Sequence, residues 1–261
     1  MLNDLDEKTV GVVVPTLGTR EDYLLDCLSS VRASGSCYII LVAPRSYDAE
    51  FLLSRGLIDE LAHDQGNGLA SAINLGIACL PKHVVFATWI GDDDLLCQQS
   101  LEPSRDLLKR DSDVVLVYGN CIYIDSSGRK VWKNSFGRIS AIILRFGPCL
   151  IPQPGSLFRR SAYEEVGGLN PDFGWAFDYD LFIRLSKVGK LKYVDRNTAS
   201  FRWHSDSLTV GQRKKSVNEA SRVRKSNYSK GTKALAIIWE PIVKFITLHA
   251  PKIFDRKQKE F

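Results

Sequence analysis

No Cys-x-x-Cys pair and no Cys/His spacing of the metal-ligand kind occurs in this 261-residue chain. Its six cysteines, Cys27, Cys37, Cys79, Cys97, Cys121 and Cys149, are widely separated. That distribution argues against a zinc site or a disulfide framework, and for reduced, mostly buried thiols in a cytoplasmic setting. No uninterrupted apolar run reaches the roughly 18 residues of a membrane span. The stretch Met1 to Glu7 is acidic and has no apolar core, so no secretory signal is expected. Internal repeats and low-complexity tracts are also missing. With 44% hydrophobic and 25% charged residues, disorder of the whole chain is excluded. The length suits one large domain with an appendage.

Charge is unevenly distributed. The overall +5 hides a basic tail: residues 213–261 hold 13 Lys and Arg against 4 Asp and Glu, a net +9, and the remainder is net −4. A split of this kind points the tail toward an anionic partner, phospholipid or nucleic acid. Nothing in the body supports nucleic acid, and no such partner is expected.

Along the first half, apolar runs alternate with helical patterns. Val10 to Pro15 reads as a buried strand ended by proline, and Glu21 to Ala33 as a helix with Leu24, Leu25, Leu28 and Val31 on one face. Tyr38 to Val42 predicts a second strand, Leu57 to His63 a short third, and Gly68 to Cys79 a helix of small residues. The run Val84 to Ile90 predicts a strand buried on both faces. A helix over Leu101 to Lys109 and a strand over Val114 to Tyr118 follow. This alternation implies a mostly parallel sheet with right-handed crossovers. Beyond residue 120 the pattern changes to a hairpin, 121–124 with 130–132, then a strand near Gly155 to Phe158, a short helix ended by Gly167-Gly168, and a helix opened by Asp178 and closed at Gly189.

Gly91-Asp92-Asp93-Asp94 stands directly after the oiliest strand. The carboxyl ends of parallel strands open onto the ligand crevice. Three like charges there are tolerable when a divalent cation neutralises them, and hard carboxylate oxygens suit Mg²⁺ or Mn²⁺. The same residues also suit an acidic turn capping the next helix.

Four segments together resemble the inverting glycosyltransferases of family two: Val12-Val13-Val14-Pro15-Thr16, Gly68 to Gly76, Gly91 to Asp94, and Gly167-Gly168-Leu169 followed by Asp178 to Arg184. The resemblance covers roughly residues 10–206. It implies an α/β GT-A fold, a Rossmann-like, mostly parallel central sheet flanked by helices with a helical C-terminal appendage. Residues 1–212 would be the catalytic domain, with the nucleotide-sugar part at about 8–120 and the acceptor part at about 121–212; 213–261 would be a basic amphipathic tail. Function would be metal-dependent transfer of a sugar from a nucleotide-diphosphate donor to a hydroxyl acceptor, a glycan or lipid-linked molecule, in cell-surface polysaccharide or glycolipid synthesis.

The resemblance also assigns residues. Nucleotide-sugar contacts fall to Pro15, Thr16, Asn67, Asn74, Asp92 and Asp93, and Mn²⁺ or Mg²⁺ to Asp92, Asp94 and His204. Gly91 stands where the family has its first acid. The acceptor loop is Gln153, Gly155 and Ser156. Asp178 is the base, with Phe177 in place of the usual Glu before it; Asp180 is the second candidate, and simple helix capping is the alternative role for Asp178. The amides opening the Gly68 helix either approach the nucleotide or only pack on the sheet. Val42-Ala43-Pro44-Arg45-Ser46 lacks the acids that commonly meet the nucleobase, which leaves the base undetermined. Two rival functions are a sugar-phosphate nucleotidyltransferase, for which Pro15 to Arg20 is a poor phosphate loop, and a silent membrane-associated binding subunit.

In the tail, Leu235, Ile238, Trp239, Ile242, Val243 and Ile246 form one helical stripe, with Lys233, Glu240 and Lys244 off it and Pro241 as a kink or new start. Through residues 232–249 the stripe either docks on the body, pairs with a second copy, or lies on an anionic membrane surface at its cytoplasmic face.

Overall fold

The computed structural model describes residues 8–203 and 212–258, with side chains through residue 249. Its first half runs β1 (Val10–Pro15), α1 (Glu21–Ala33), β2 (Tyr38–Ala43), α2 (Glu50–Ser54), β3 (Glu60–His63), α3 (Leu69–Cys79), β4 (Phe86–Trp89), β5 (Leu95–Leu96) and α4 (Leu101–Arg110), the alternation that the periodicity predicts with the short α2 and β5 added to it. Then come β6 (Val114–Ile124), β7 (Lys130–Asn134), α5 (Ile139–Ile143), β8 (Leu157–Arg159), α6 (Arg160–Glu165), α7 (Phe177–Val188), β9 (Lys190–Arg202), α8 (Arg213–Asn227) and α9 (Lys230–Gln258). The strands form one sheet in the order β3-β2-β1-β4-β8-β6-β9-β5, with β7 paired to β6. Strands β1 to β4 are mutually parallel and β6 is parallel to β9, while β8, β5 and β7 run against their neighbours. The mostly parallel α/β sheet flanked by helices is thus present.

The strand side chains divide between two cores, one on each face of the sheet. Val12 and Val14 of β1 point into the core shared with α1 and α4, through Leu24, Leu28, Val31, Leu101 and Leu108. Val13 points the other way, into the core shared with α3, α6 and α7. A strand covered on both faces has to be apolar throughout, which is why β1 and β4 carry no alternating polar residues. Small residues let α3 lie close: a Cβ on Gly76 would collide with Val13 and Val42.

Besides the short α2, β5 and α5, which the sequence does not announce, β9 and α9 depart from the expected pattern. The thirteen-residue β9 runs beside β6 along its length, with register shifts, yet much of it is exposed and charged, so no apolar alternation announces it. In the tail, α9 is one helix through Pro241, and it docks by one edge of the apolar stripe, where Trp239 and Val243 are half-buried and Trp239 meets Phe146 and Tyr228. Ala236 and Glu240 are buried there, while Leu235, Ile238, Ile242 and Ile246 stay exposed.

The docking contact is a charge pair. Arg224 of α8 is 1% exposed and grips Glu240 with two bonds, Nε to Oε1 at 2.7 Å and Nη2 to Oε2 at 2.9 Å. Ser221 Oγ and Tyr228 OH also donate to Glu240, so the carboxylate is saturated. Pairing holds Glu240 below and Arg224 above their ordinary pKa values, against a desolvation that opposes both. Removing one partner leaves the other charged and buried. Glu240→Ala is therefore expected to cost about 3–5 kcal/mol in denaturant-monitored unfolding; a change inside experimental error would show that the pair does not hold the tail.

Candidate active site

A cavity of about 750 Å³ lies at the carboxyl ends of β1 and β4, lined by Pro15, Thr16, Asp92, Asp93, Asp94, Gln153 and Asp178 among others. The three aspartates occupy the turn between β4 and β5. The next helix, α4, begins only at Leu101, so they cap nothing. Each carboxylate has its own compensation. Asp92 accepts from Thr16 Oγ1 at 2.6 Å through Oδ2 and from Arg20 Nη2 at 2.5 Å through Oδ1. Asp93 takes the other Arg20 nitrogen at 2.7 Å. Asp94 Oδ1 accepts the Arg202 backbone N–H at 2.8 Å, and no hydrogen bond reaches its Oδ2 among the described residues.

Burial pushes the Asp92 carboxyl up, an effect that Thr16 and Arg20 partly offset. Burial raises Asp94 much further, and the neighbouring Asp93 charge adds to it. The Asp94 charge is thus the least compensated of the three. Gly91 is small for a local reason, since a Cβ there would sit 2.8 Å from Asp93 Oδ1. Among the described residues, no group of three or more His, Cys, Asp or Glu side chains is arranged to hold a metal.

Across the cavity wall, Asp178 sits in the first turn of α7 and accepts the Tyr179 N–H at 2.7 Å through Oδ1. Desolvation raises its pKa to about 6, opposed by the backbone N–H groups of Tyr179 and Asp178. Asp180, two residues on, faces elsewhere: it is buried, bound to Arg184 Nε at 2.8 Å, and does not line the cavity. A helix turns about 200° over two residues, so both cannot share a face.

The remaining expected residues divide in the same way. Gln153 lines the cavity and is tied to the Trp89 carbonyl at 2.7 Å. Gly155 and Ser156 lie behind the loop: Gly155 has φ +77° against Thr198, and Ser156 Oγ donates to Pro152 O at 2.5 Å. Asn67 is exposed and off the cavity lining, whereas Gly68, Leu69 and Ala72 line it, so α3 both packs on the sheet and presents its first turn to the cavity. Asn74 is turned away from it. Its Oδ1 takes Tyr163 OH and Leu169 N, and its Nδ2 donates to Leu169 O at 2.8 Å. It thereby clasps the Gly167-Gly168 turn to α3. His204 lies outside the described residues.

Several site residues escape a sequence reading. Arg20 binds the Asp93 carboxylate through its side chain and Arg202 the Asp94 carboxylate through its backbone N–H, each more than 70 residues away, and the only local signal is an arginine in each segment flanking the cavity. Arg202 is 4% exposed, donates from Nε to Asp93 O at 2.9 Å, and stacks over Tyr23 at 4.3 Å. The basic tail also belongs to the wall, through Ser216, Val217, Ala220, Arg224 and Thr247. From α8, buried Glu219 accepts the N–H groups of Gly174, Trp175 and Ala176 at 3.1, 2.5 and 2.7 Å. Those amides immediately precede α7 and have no helical partner of their own. Glu219 therefore fixes the segment that leads into Asp178.

No protein-family profile matches the chain. It is 25% identical over 210 residues to an uncharacterized glycosyltransferase of Rickettsia conorii, an alignment that spans 76% of this chain and 34% of that protein. The chain thus covers about a third of the length of the curated relatives it matches. Among solved structures, S. aureus TarS in complex with UDP superposes with a TM-score of 0.60 at 12% identity, over 87% of this chain and 69% of that one. A mannosyltransferase, PcManGT from Pyrobaculum calidifontis, in complex with GDP-Man and Mn²⁺, superposes with a TM-score of 0.66 at 14% identity, over 94% and 73%.

Glu219→Ala is expected to cost about 1–3 kcal/mol of stability, because three amides lose their acceptor. Amide exchange at Gly174, Trp175 and Ala176 should quicken selectively. Unchanged exchange at these positions would show that the loop holds itself.

Proposed function

We infer that this chain, which shares its fold with solved glycosyltransferases and is 25% identical to an uncharacterized one, is itself a GT-A-like glycosyltransferase that transfers a sugar from a nucleotide-diphosphate donor to a hydroxyl acceptor with inversion. The supporting observation is a single cavity that holds a carboxylate of raised basicity, Asp178, together with Thr16 and the aspartate turn. Inversion needs a base on the acceptor side, separate from the groups that hold the leaving diphosphate.

In this reading the nucleotide lies along Pro15, Thr16 and the first turn of α3, and Asp92 and Asp93 orient it with Arg20. The carboxylate turn suits a hard divalent cation, because among the described residues Asp94 has an oxygen without a hydrogen bond and an undercompensated charge. Asp94 and Asp92 would hold Mn²⁺ or Mg²⁺, which supplies Lewis-acid stabilisation of the departing diphosphate. His204 is the remaining candidate ligand. Asp178 takes the acceptor hydroxyl proton at Oδ2, since Oδ1 is engaged by the Tyr179 amide. Gln153, backed by Gly155 and Ser156, borders the acceptor.

The acceptor class is a glycan or lipid-linked molecule of cell-surface polysaccharide or glycolipid synthesis, and the place of action is the cytoplasm or the cytoplasmic face of a membrane. Among the described residues no helix is long and apolar enough to cross one. Surface contact through residues 232–249, with a bilayer or a second copy, belongs to the same reading, because the tail stripe is exposed. A nucleotidyltransferase is less well supported: the one arginine of its would-be phosphate loop, Arg20, is committed to Asp92 and Asp93.

The test is hydrolysis and transfer across a panel of nucleotide sugars, with and without Mn²⁺. Asp178→Asn should lower transfer by about 10²–10⁴-fold while donor binding persists; full activity in that variant would sink the base assignment. Because the working form is the carboxylate, the wild-type rate should rise with pH up to about 6 and then level off.

Stability should move the opposite way. A folded-state pKa above the ordinary 3.8 means that the native protein holds the proton more tightly than the unfolded chain. Stability therefore falls as pH rises from about 4 to about 6, by roughly 3 kcal/mol in all. At neutral pH, Asp178→Asn should accordingly raise Tm, and a lowered Tm would contradict a desolvated carboxylate.

A further inference from the structure

The outward face of α9 is apolar along its described length: Leu235, Ile238, Ile242, Phe245 and Ile246 are 53–71% exposed. The face continues onto a second element. Phe146, half exposed, stacks on Tyr228 and meets Trp239 edge-on at 6.0 Å, and Ile139 and Ile142 of α5 are exposed nearby in the chain. Five large apolar side chains on one helix, joined by Phe146, exceed the scattered exposure that an ordinary surface tolerates.

Its surroundings select the occupant. Residues 126–163 contain no Asp or Glu, and Arg138 and Arg145 bracket α5 in exposed positions. Between residues 220 and 254 the sole carboxylate is Glu240, which is buried against Arg224. Arg222, Lys225, Lys230 and Lys233 are exposed. The patch is therefore apolar, cation-framed and without an exposed carboxylate in either contributing segment. Two copies meeting through it would bring like charges together. An anionic lipid surface matches both its oil and its charge.

We propose that the outward face of α9, together with Phe146, seats on an anionic bilayer, with its isoleucines and phenylalanines at the boundary of headgroups and acyl chains and its lysines and arginines at the level of the phosphates. Position ties this surface to the cavity. Pro148 to Gln153 follow directly on Phe146 and line it, as do Arg224 and Thr247 from the tail helices. On the glycosyltransferase reading above, the acceptor end of the cavity then opens beside the membrane, and the acceptor hydroxyl belongs to a lipid-linked molecule.

The full chain is tested by co-sedimentation with vesicles of mixed phosphatidylserine and phosphatidylcholine, and with vesicles of phosphatidylcholine alone. Binding to the anionic vesicles, weakened by salt, is expected. Ile238→Asp with Ile242→Asp should reduce the partition coefficient by at least about tenfold, and Lys230→Glu with Lys233→Glu should reduce binding to the anionic vesicles specifically. Both pairs are exposed, and circular dichroism checks that the fold survives. No binding to either vesicle, or binding indifferent to the isoleucine changes, overturns the proposal. So does a concentration-dependent dimer in sedimentation that the isoleucine changes abolish without any vesicle binding, since the face then belongs to a second copy. Donor hydrolysis, measured without vesicles, is scored separately: its absence alongside intact vesicle binding refutes the transferase reading and leaves the surface assignment standing.

Discussion

Three carboxylates in a turn that the fold buries must be compensated, and this constraint organises the cavity end of the molecule. The turn lies between a central strand and a short edge strand, where solvent screening is weak and like charges repel strongly. Compensation comes from three residues in two distant segments. Thr16 and Arg20 follow the first strand, and Arg202 ends the last strand of the sheet. Drawing these together brings the carboxyl ends of β1 and β4 to the end of β9, and the cavity is the space left between them. Asp94 is the least compensated member, so the net negative potential of the turn is directed into that space.

The opposite wall is built on the reverse principle. Asp178 is raised in pKa chiefly because it is desolvated, and the nearby Glu219 charge pushes it the same way. Such a group weakens the fold and is tolerated where its position is imposed from outside. Glu219 provides part of that imposition by binding the amides before α7, and it does so from α8, whose neighbour α9 is held by the Arg224–Glu240 pair. The basic tail therefore acts on the cavity from one side and presents its apolar stripe on the other. The geometry of the cavity and the chemistry of the tail surface are linked through one buried ion pair.

Much of the architecture was legible in the residues. The strands β1, β2 and β4 and the helices α1, α3, α4 and α7 follow from hydrophobic period and turn residues, because each buries a periodic face. What escaped was short or polar. The two-residue β5 and the five-residue α2 and α5 are too brief to show a period, and β9 is too exposed and charged along much of its length. In the site, Thr16, the aspartate turn, Gln153 and Asp178 line the cavity as a sequence reading places them. Asn74 does not, because its amide is used to clasp the Gly167-Gly168 turn, and Asp180 is diverted by Arg184 one helical turn away. Arg20, Arg202 and Glu219 have roles that exist only through contacts made more than 40 residues away along the chain.

By itself the sequence determined the alternating α/β order, the buried strand that ends in carboxylates and the amphipathic, basic character of the tail. These are local properties: period, composition and the chemistry of neighbouring side chains. Tertiary structure alone decided which carboxylate is neutralised, which is left desolvated, and which side of the tail helix turns inward. Hydropathy identified the apolar stripe of α9, but a buried Arg224 needs a carboxylate more than the body needs another isoleucine. Glu240 took the inner face, and most of the stripe, Leu235, Ile238, Ile242 and Ile246, was left outside.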